Sequence, residues 1–294
     1  MSNRANDNDS GQMNNSRQHV SATPLLDWLK KTTTVLEAAS FKTSPITNLT
    51  VLAYFFWSDE RIHTEFWKIE AAFLQTFHAN GLLPGILVVN QKTAKMETFC
   101  RKYGIEIQVE ESLDRGGLPA MSIDCISRLH SRFKTDYVLT IQCDGMPMRG
   151  GLEDFIGGFD YVGAPWPGHT TYYDLFPYPK FGVGNGGFSL RSKSICKIVS
   201  RLYSRYASRI PYNWLFTEDV FYCKTLRLLA PGAYRDLKFP SISEAAAFSI
   251  ECEIPSIPNP PIPLGFHAEK GFRNYLRICN QVGKPFGDFS KGEQ

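Results

Sequence analysis

The chain has 294 residues and a net charge of +3, from 32 basic and 29 acidic side chains. That balance excludes a chain built as a whole for nucleic acid, so any basic surface has to be local. Hydrophobic residues at 43% and aromatic residues at 13% suffice for a large core, as one α/β domain with an appendage or as two small domains.

The seven cysteines (Cys100, Cys125, Cys143, Cys196, Cys223, Cys252 and Cys279) are scattered, with no C-x-x-C pair. This argues against a zinc knuckle and fits a reducing compartment, so a cytoplasmic protein is expected. No apolar run reaches spanning length and the start carries no apolar leader core, so neither a transmembrane helix nor a signal peptide is expected.

Residues 1–22 are rich in Asn, Ser, Asp and Gln and are expected to be a disordered tail. An N-terminal helical segment over 23–46 is expected to start at Pro24. The apolar stretch from Thr47 to Trp57 predicts a buried strand, and Ser58-Asp59 a turn and cap for a helix over Glu60–His78. A strand over Ile86–Asn90, a helix over Lys92–Tyr103, an alternating strand over Ile105–Val109 and a helix over Leu118–Phe133 follow. The run Asp136-Tyr-Val-Leu-Thr-Ile-Gln-Cys-Asp-Gly145 then reads as a strand buried on both faces, stopped by the Asp144-Gly145 turn. Strands alternating with helices predict an α/β fold with a mostly parallel central sheet, flanking helices and a Rossmann-like N-terminal half.

The second half changes character. Asp160–Trp166 reads as a short strand entering a loop, and residues 165–181 are crowded with aromatic residues and prolines. Gly182-Val-Gly-Asn-Gly-Gly187 and Phe188-Ser-Leu190 come next. A helix is expected over Ser192–Ser208, capped by Ser192, and another from Thr217 to about Leu229. Ser241 and Glu244 have capping-box spacing. The Pro-rich segment Ile254–Pro263 leads to Gly265-Phe-His267, and a last helix is expected over Gly271–Val282.

Five features could carry chemistry. Asp144 beyond the end of a parallel strand lies where open α/β sheets bind ligands, although Asp before Gly also serves simply as a turn. With His267 it offers an O/N pair suited to Mn²⁺ or Mg²⁺, with substrate phosphates filling the shell. Gln142 contributes a neutral oxygen, a poorer cation ligand than a carboxylate. Glu218 and Asp219 open a helix, where they complement its dipole or supply a general base. Gly182, Gly184, Gly186 and Gly187 permit positive φ and close backbone approach to a ligand, or form a tight turn. The rings around Trp166 suit sugar faces or cover the core. Finally, Lys193, Lys197, Arg201, Arg205 and Arg209 recur every four residues as a basic stripe, a solvated face or a dock for anionic lipid or a phosphate-bearing acceptor.

The motifs Gln142-Cys-Asp144, Asp160-Tyr-Val-Gly-Ala-Pro-Trp166, Gly184-Asn-Gly-Gly-Phe-Ser-Leu190, Glu218-Asp219-Val220 and Gly265-Phe-His267, in that order, resemble the DUF5672 family, a glycosyltransferase-like domain of GT-A type, over roughly residues 48–270. The order is also similar to β-1,3-glycosyltransferases of GT-A fold. The resemblance implies a GT-A-like domain over 47–270, with a nucleotide-sugar-binding half (47–145) and an acceptor half (146–270), followed by a C-terminal helix and tail over 271–294. It implies a nucleotide-sugar donor at Gln142, Asp144 and Gly145, a metal at Asp144 and His267, and Asp219, with Glu218 as the competing candidate, as base. The acceptor side is then Trp166, Gly184, Asn185, Gly186 and Gly187. The expected function is transfer of a sugar to a glycan or lipid-linked acceptor, with inversion, by a cytoplasmic protein that could sit peripherally at a membrane. Two rivals stand beside it. A nucleotidyltransferase would want a Gly- and Lys-rich loop after the first strand, where Phe56-Trp-Ser-Asp-Glu60 stands. A non-catalytic glycan- or lipid-binding protein would use the aromatic loop and the basic stripe.

Overall fold

A computed structural model of the chain describes residues 23–57, 59–166, 182–207, 217–253, 257 and 259–284. The expected N-terminal tail, most of the aromatic loop after Trp166, Arg209 and the last ten residues lie outside them.

A six-stranded sheet forms the centre, in the order β3-β2-β1-β4-β7-β6. Its strands are β1 (Leu49–Phe55), β2 (Gly85–Val89), β3 (Ile105–Val109), β4 (Tyr137–Ile141), β6 (Tyr161–Val162) and β7 (Ser189–Ser192). The first four pair in parallel, while β7 runs antiparallel to β4 and β6 antiparallel to β7. This is the expected α/β architecture, with a mostly parallel sheet flanked by helices.

Strand alternation divides the core in two. Leu49, Val51, Ala53, Leu87, Leu139 and Ile141 face one side, packed by α1 (Pro24–Leu36), α2 (Asp59–Asn80), α3 (Ala94–Tyr103) and α11 (Ala268–Gln281). Leu52, Ile86, Val88 and Val138 face the other, packed by α4 (Ser112–Ser127), α5 (Leu129–Arg132) and α6 (Lys193–Tyr206). Each fully buried aliphatic side chain contributes about 1.5–3 kcal/mol, which is why β1, β2 and β4 are mostly apolar, with Thr50 and Thr140 as buried polar residues among them.

Several boundaries differ from the sequence expectation for local reasons. The helix predicted over Leu118–Phe133 starts earlier, at Ser112, bends at Gly117, where φ is +53°, and breaks at Arg128 before α5. Pro119 fits there because the bend frees its position from an interior helical hydrogen bond. The helix from Thr217 is composite: α7 (Glu218–Val220), a π-helical turn over Phe221–Thr225, and α8 (Leu226–Leu229). A short helix α9 (Pro231–Arg235) follows. The Ser192 cap and the Ser241–Glu244 capping box of α10 (Ile242–Phe248) form as expected.

A second, three-stranded sheet joins β5 (Gly145–Pro147), β9 (Gly265–His267) and β8 (Ser249–Ile250), in the order β5-β9-β8. The chain leaves β4 through a tight turn in which Gln142 and Gly145 exchange both backbone hydrogen bonds, at 2.9 and 3.1 Å. β5 then pairs antiparallel with β9, placing Gly145 opposite His267.

Candidate active site

The pairing of β5 with β9 decides where His267 goes. Residues 122 positions apart in sequence, Gly145 and His267, become direct cross-strand partners. The Ala268 N–H donates to the Asp144 carbonyl at 2.7 Å. His267 Nε2 then lies 3.2 Å from Gln142 Oε1 and 3.9 Å from Asp144 Oδ1. Gln142, Asp144 and His267, expected together, do converge at the C-terminal edge of β4.

The glycine segment closes the other side, though not by the expected means. None of Gly182, Gly184, Gly186 and Gly187 has positive φ; the left-handed residue is Asn185, at +66°. Asn tolerates this conformation better than most side chains. It is held by four groups: its N–H donates to Asp219 Oδ2 at 3.1 Å, its carbonyl accepts from the Tyr161 hydroxyl at 2.9 Å, its Oδ1 accepts from the Gly187 N–H at 3.1 Å, and its Nδ2 donates to Glu251. The glycines are needed for space. A Cβ on Gly184 would overlap the Trp166 ring, on Gly186 the Glu218 carboxylate, and on Gly187 the His267 ring. Trp166 is itself 8% exposed and packed against Gly184, with the Lys224 ammonium 5.2 Å from its ring centre, so its indole is part of the core wall. The ring is therefore not displayed as an open sugar platform.

The two acids of the helix start separate. Glu218 turns inward to Arg191, with Oε1 3.2 Å from Nη2, and accepts from Ser122 at 3.4 Å. Arg191 is fully buried, its guanidinium 4.6 Å from the Tyr222 ring centre and 5.4 Å from that of Tyr161. A buried, paired carboxylate of this kind holds structure and is costly to unpair. Asp219 turns toward Asn185 instead, and its Oδ1 accepts from the Val220 N–H at 2.8 Å. Burial and the neighbouring Glu218 raise its pKa to about 7, against the opposing Val220 N–H, Arg191 and His267.

Sequence reasoning missed Glu251 and Arg191. Glu251 follows β8, bonds the Asn185 amide and places Oε1 3.9 Å from His267 Nδ1. Burial works against charge on His267, but Glu251, Asp144 and Asp219 together raise its pKa above the usual imidazole value. Arg191 carried one readable signal: a lone cation in the otherwise small or apolar stretch Phe188–Ser192. Glu251 carried none.

Asp144 and His267 fit a shared divalent cation in part. Their 3.9 Å separation is one that an ion with bonds of roughly 2.1 Å can bridge, and Gln142 adds an oxygen. Among the described residues no group of three His, Cys, Asp or Glu side chains is arranged for a metal, so substrate oxygens would have to complete the shell.

Beside this cluster opens a cavity of about 360 Å³ at the C-terminal ends of β1 and β2, lined by Tyr54, Phe56, Trp57, Asn90, Leu118 and Gln142 among others.

Residues 124–267 match the family model described as "Protein of unknown function (DUF5672)". They carry the DUF5672 signature expected from the motifs. The match contains every candidate site residue from Gln142 to His267, while β1, β2 and much of the cavity wall precede it. No curated protein matches the chain. Among solved structures, the apo-form glycosyltransferase GlyE of Streptococcus pneumoniae TIGR4 shares 13% identity, with 67% of this chain and 46% of that one covered at a TM-score of 0.39. A second GlyE structure gives 13% identity, 76% and 55% coverage and a TM-score of 0.41. The mannosyltransferase Ktr4p of S. cerevisiae gives 9% identity, 68% and 73% coverage and a TM-score of 0.41. The chain thus spans less than two thirds of GlyE. Among the described residues, no helix is long and apolar enough to cross a membrane.

Proposed function

We propose that the chain is an inverting glycosyltransferase that moves a sugar from a nucleotide-sugar to a glycan or lipid-linked acceptor. The observation that carries this reading is Asp219. It is a carboxylate at a helix start, raised to about 7, that shares one cluster with Asp144 and His267 beside a cavity at the sheet's C-terminal edge. A base with a pKa near working pH combines adequate deprotonation with proton affinity.

In this reading the nucleotide base enters the apolar cavity against Trp57 and Asn90, and the diphosphate lies toward Gln142, Asp144 and Gly145. Asp144 and His267, with Gln142, would hold Mn²⁺ or Mg²⁺, which when bound offsets charge on the leaving phosphate. Asp219 takes the proton from the acceptor hydroxyl as its oxygen bonds to the anomeric carbon. The bond from that carbon to the diphosphate breaks in the same displacement, which inverts the centre. Glu218, committed to Arg191, does not compete for the proton. The Asn185–Gly187 backbone lines the acceptor side next to Asp219, whose carboxylate the Asn185 N–H holds in place.

The basic stripe supports peripheral contact with an anionic membrane only in part. Lys193 donates to the Phe133 carbonyl at 2.5 Å and is tied into the fold, leaving Lys197, Arg201 and Arg205 exposed.

The test is Asp219→Asn assayed for transfer from a panel of nucleotide-sugars with Mn²⁺. Loss of general-base help is expected to slow transfer about 100-fold or more while donor binding persists. Full activity in the variant would remove Asp219 from the role. Wild-type protein that binds donors but neither transfers nor hydrolyses them would make this a binding protein.

A further inference from the structure

A second cavity, of about 480 Å³, lies against the first and shares Phe55, Trp57 and Cys143 with it. Apart from Cys143, its wall comes from elements that precede the DUF5672 match, among them Lys30 of α1, Arg61, Glu65, Trp67 and Lys68 of α2, and Trp57 between β1 and α2. The charge is lopsided. Three cations face one acid, and that acid, Glu65, is bonded to Lys68. The cations stand over indoles: Lys30 and Lys68 hold their ammonium groups 5.8 Å from the Trp67 ring centre, and Arg61 its guanidinium 5.2 Å from that of Trp57. Such pairing orients long cationic side chains that would otherwise sweep through solvent. Leu26 and Phe55 supply apolar wall, and Cys143 sits next to Asp144 at the inner end.

We propose that this second cavity is a phosphate-ester site, separate from the donor cavity, that takes the anionic end of the second substrate. Its chemistry asks for a phosphoryl group near Lys30, Arg61 and Lys68, joined to a body with an apolar or sugar face that lies on the indoles. A ligand seated there reaches the reacting cluster along Cys143 and Asp144. The assignment of that ligand as an acceptor rests on the glycosyltransferase reading, whereas the anion site itself does not.

The test is calorimetric titration of the full chain and of Lys30→Glu/Arg61→Glu, both exposed substitutions, with inorganic pyrophosphate, a sugar 1-phosphate and a nucleoside diphosphate. The double variant is expected to lose pyrophosphate and sugar 1-phosphate affinity by about tenfold or more, with nucleoside diphosphate affinity held within about twofold. Flotation with phosphatidic acid and phosphatidylcholine vesicles separates the sources. Wild-type binding to phosphatidic acid alone, lost in the variant, assigns the phosphate to a lipid; binding only to the soluble esters assigns it to a free substrate. Unchanged pyrophosphate affinity in the variant, or none in the wild type, overturns the site. Parallel loss of nucleoside diphosphate affinity would make the cavity part of the donor cleft and overturn its separateness. Absence of sugar transfer in every assay would sink the enzyme reading and leave the binding result standing.

Discussion

Asp219 and Glu218 are adjacent carboxylic acids with opposite fates. Glu218 points inward to a buried guanidinium and is fixed by it. Asp219 points to the Asn185 backbone, partly buried and close enough to Glu218 for repulsion to keep its proton on. Two pH dependences result. In the role proposed for Asp219, a base that must be deprotonated loses activity below its pKa, so kcat/KM for transfer is expected to fall roughly tenfold per pH unit below about 7. Stability runs the opposite way. The native state holds a proton that an unfolded aspartate releases near its ordinary value of 3.8, so Asp219 favours folding at acid pH and that contribution is lost as pH rises from there through about 7. Urea unfolding at pH 5 and pH 8 should show a smaller difference in Asp219→Asn than in wild type. An unchanged difference would mean the proton sits elsewhere.

At the scale of elements, the Gly184–Gly187 turn works by what its glycines leave room for. Trp166 from the loop after β6, Glu218 of α7 and His267 of β9 press against its backbone, and within the turn only Asn185 adopts the left-handed conformation. Overpacking a rigid wall costs about 1–3 kcal/mol, so Gly184→Ala should lower stability by that amount with a clear fall in melting temperature. Gly158→Ala is the control: its added Cβ would meet ordinary van der Waals neighbours at 3.6 Å and more, and φ there is not positive. A neutral Gly184→Ala would show that Trp166 can swing aside. The π-helical turn directly after Val220 belongs to the same scale, since such turns re-aim side chains near functional sites.

For the whole molecule, the question is what holds the small sheet, and with it His267, against the large one. Phe188, leading into β7, stacks on Phe248 of α10 with ring centres 4.8 Å apart and planes 9° from parallel. Phe155 meets Phe248 edge-on at 5.1 Å, and Phe266 of β9 lies 5.2 Å from Phe272 of α11. All are buried in one continuous core with β1, β2 and β4. Phe248→Ala would leave a cavity between the sheets and is expected to cost about 3–5 kcal/mol in denaturant unfolding. A cost under about 1 kcal/mol would mean that the sheets are held elsewhere. The N-terminal helix α1 packs on α2 and α11, so the segment before β1 and the last helix share the core of the sheet they flank.

By itself the sequence determined the α/β class, the order of β1 to β4 with their helices, the Asp144 turn and the start of the helix at Glu218. Each of these is local: apolar runs, a cap or a turn residue specifies it within a few positions. It also named Gln142, Asp144, Asn185, Asp219 and His267 as candidates, because each stands in a motif that can be read in one stretch. What only the tertiary structure decided is how those residues meet. The Gly145–His267 pairing, the burial of Arg191 between Tyr161 and Tyr222, the separate fates of Glu218 and Asp219, and the arrival of Glu251 at Asn185 all depend on contacts across 27 to 122 positions of chain. Such contacts arise from packing free energy spread over the whole core, and no local pattern encodes it.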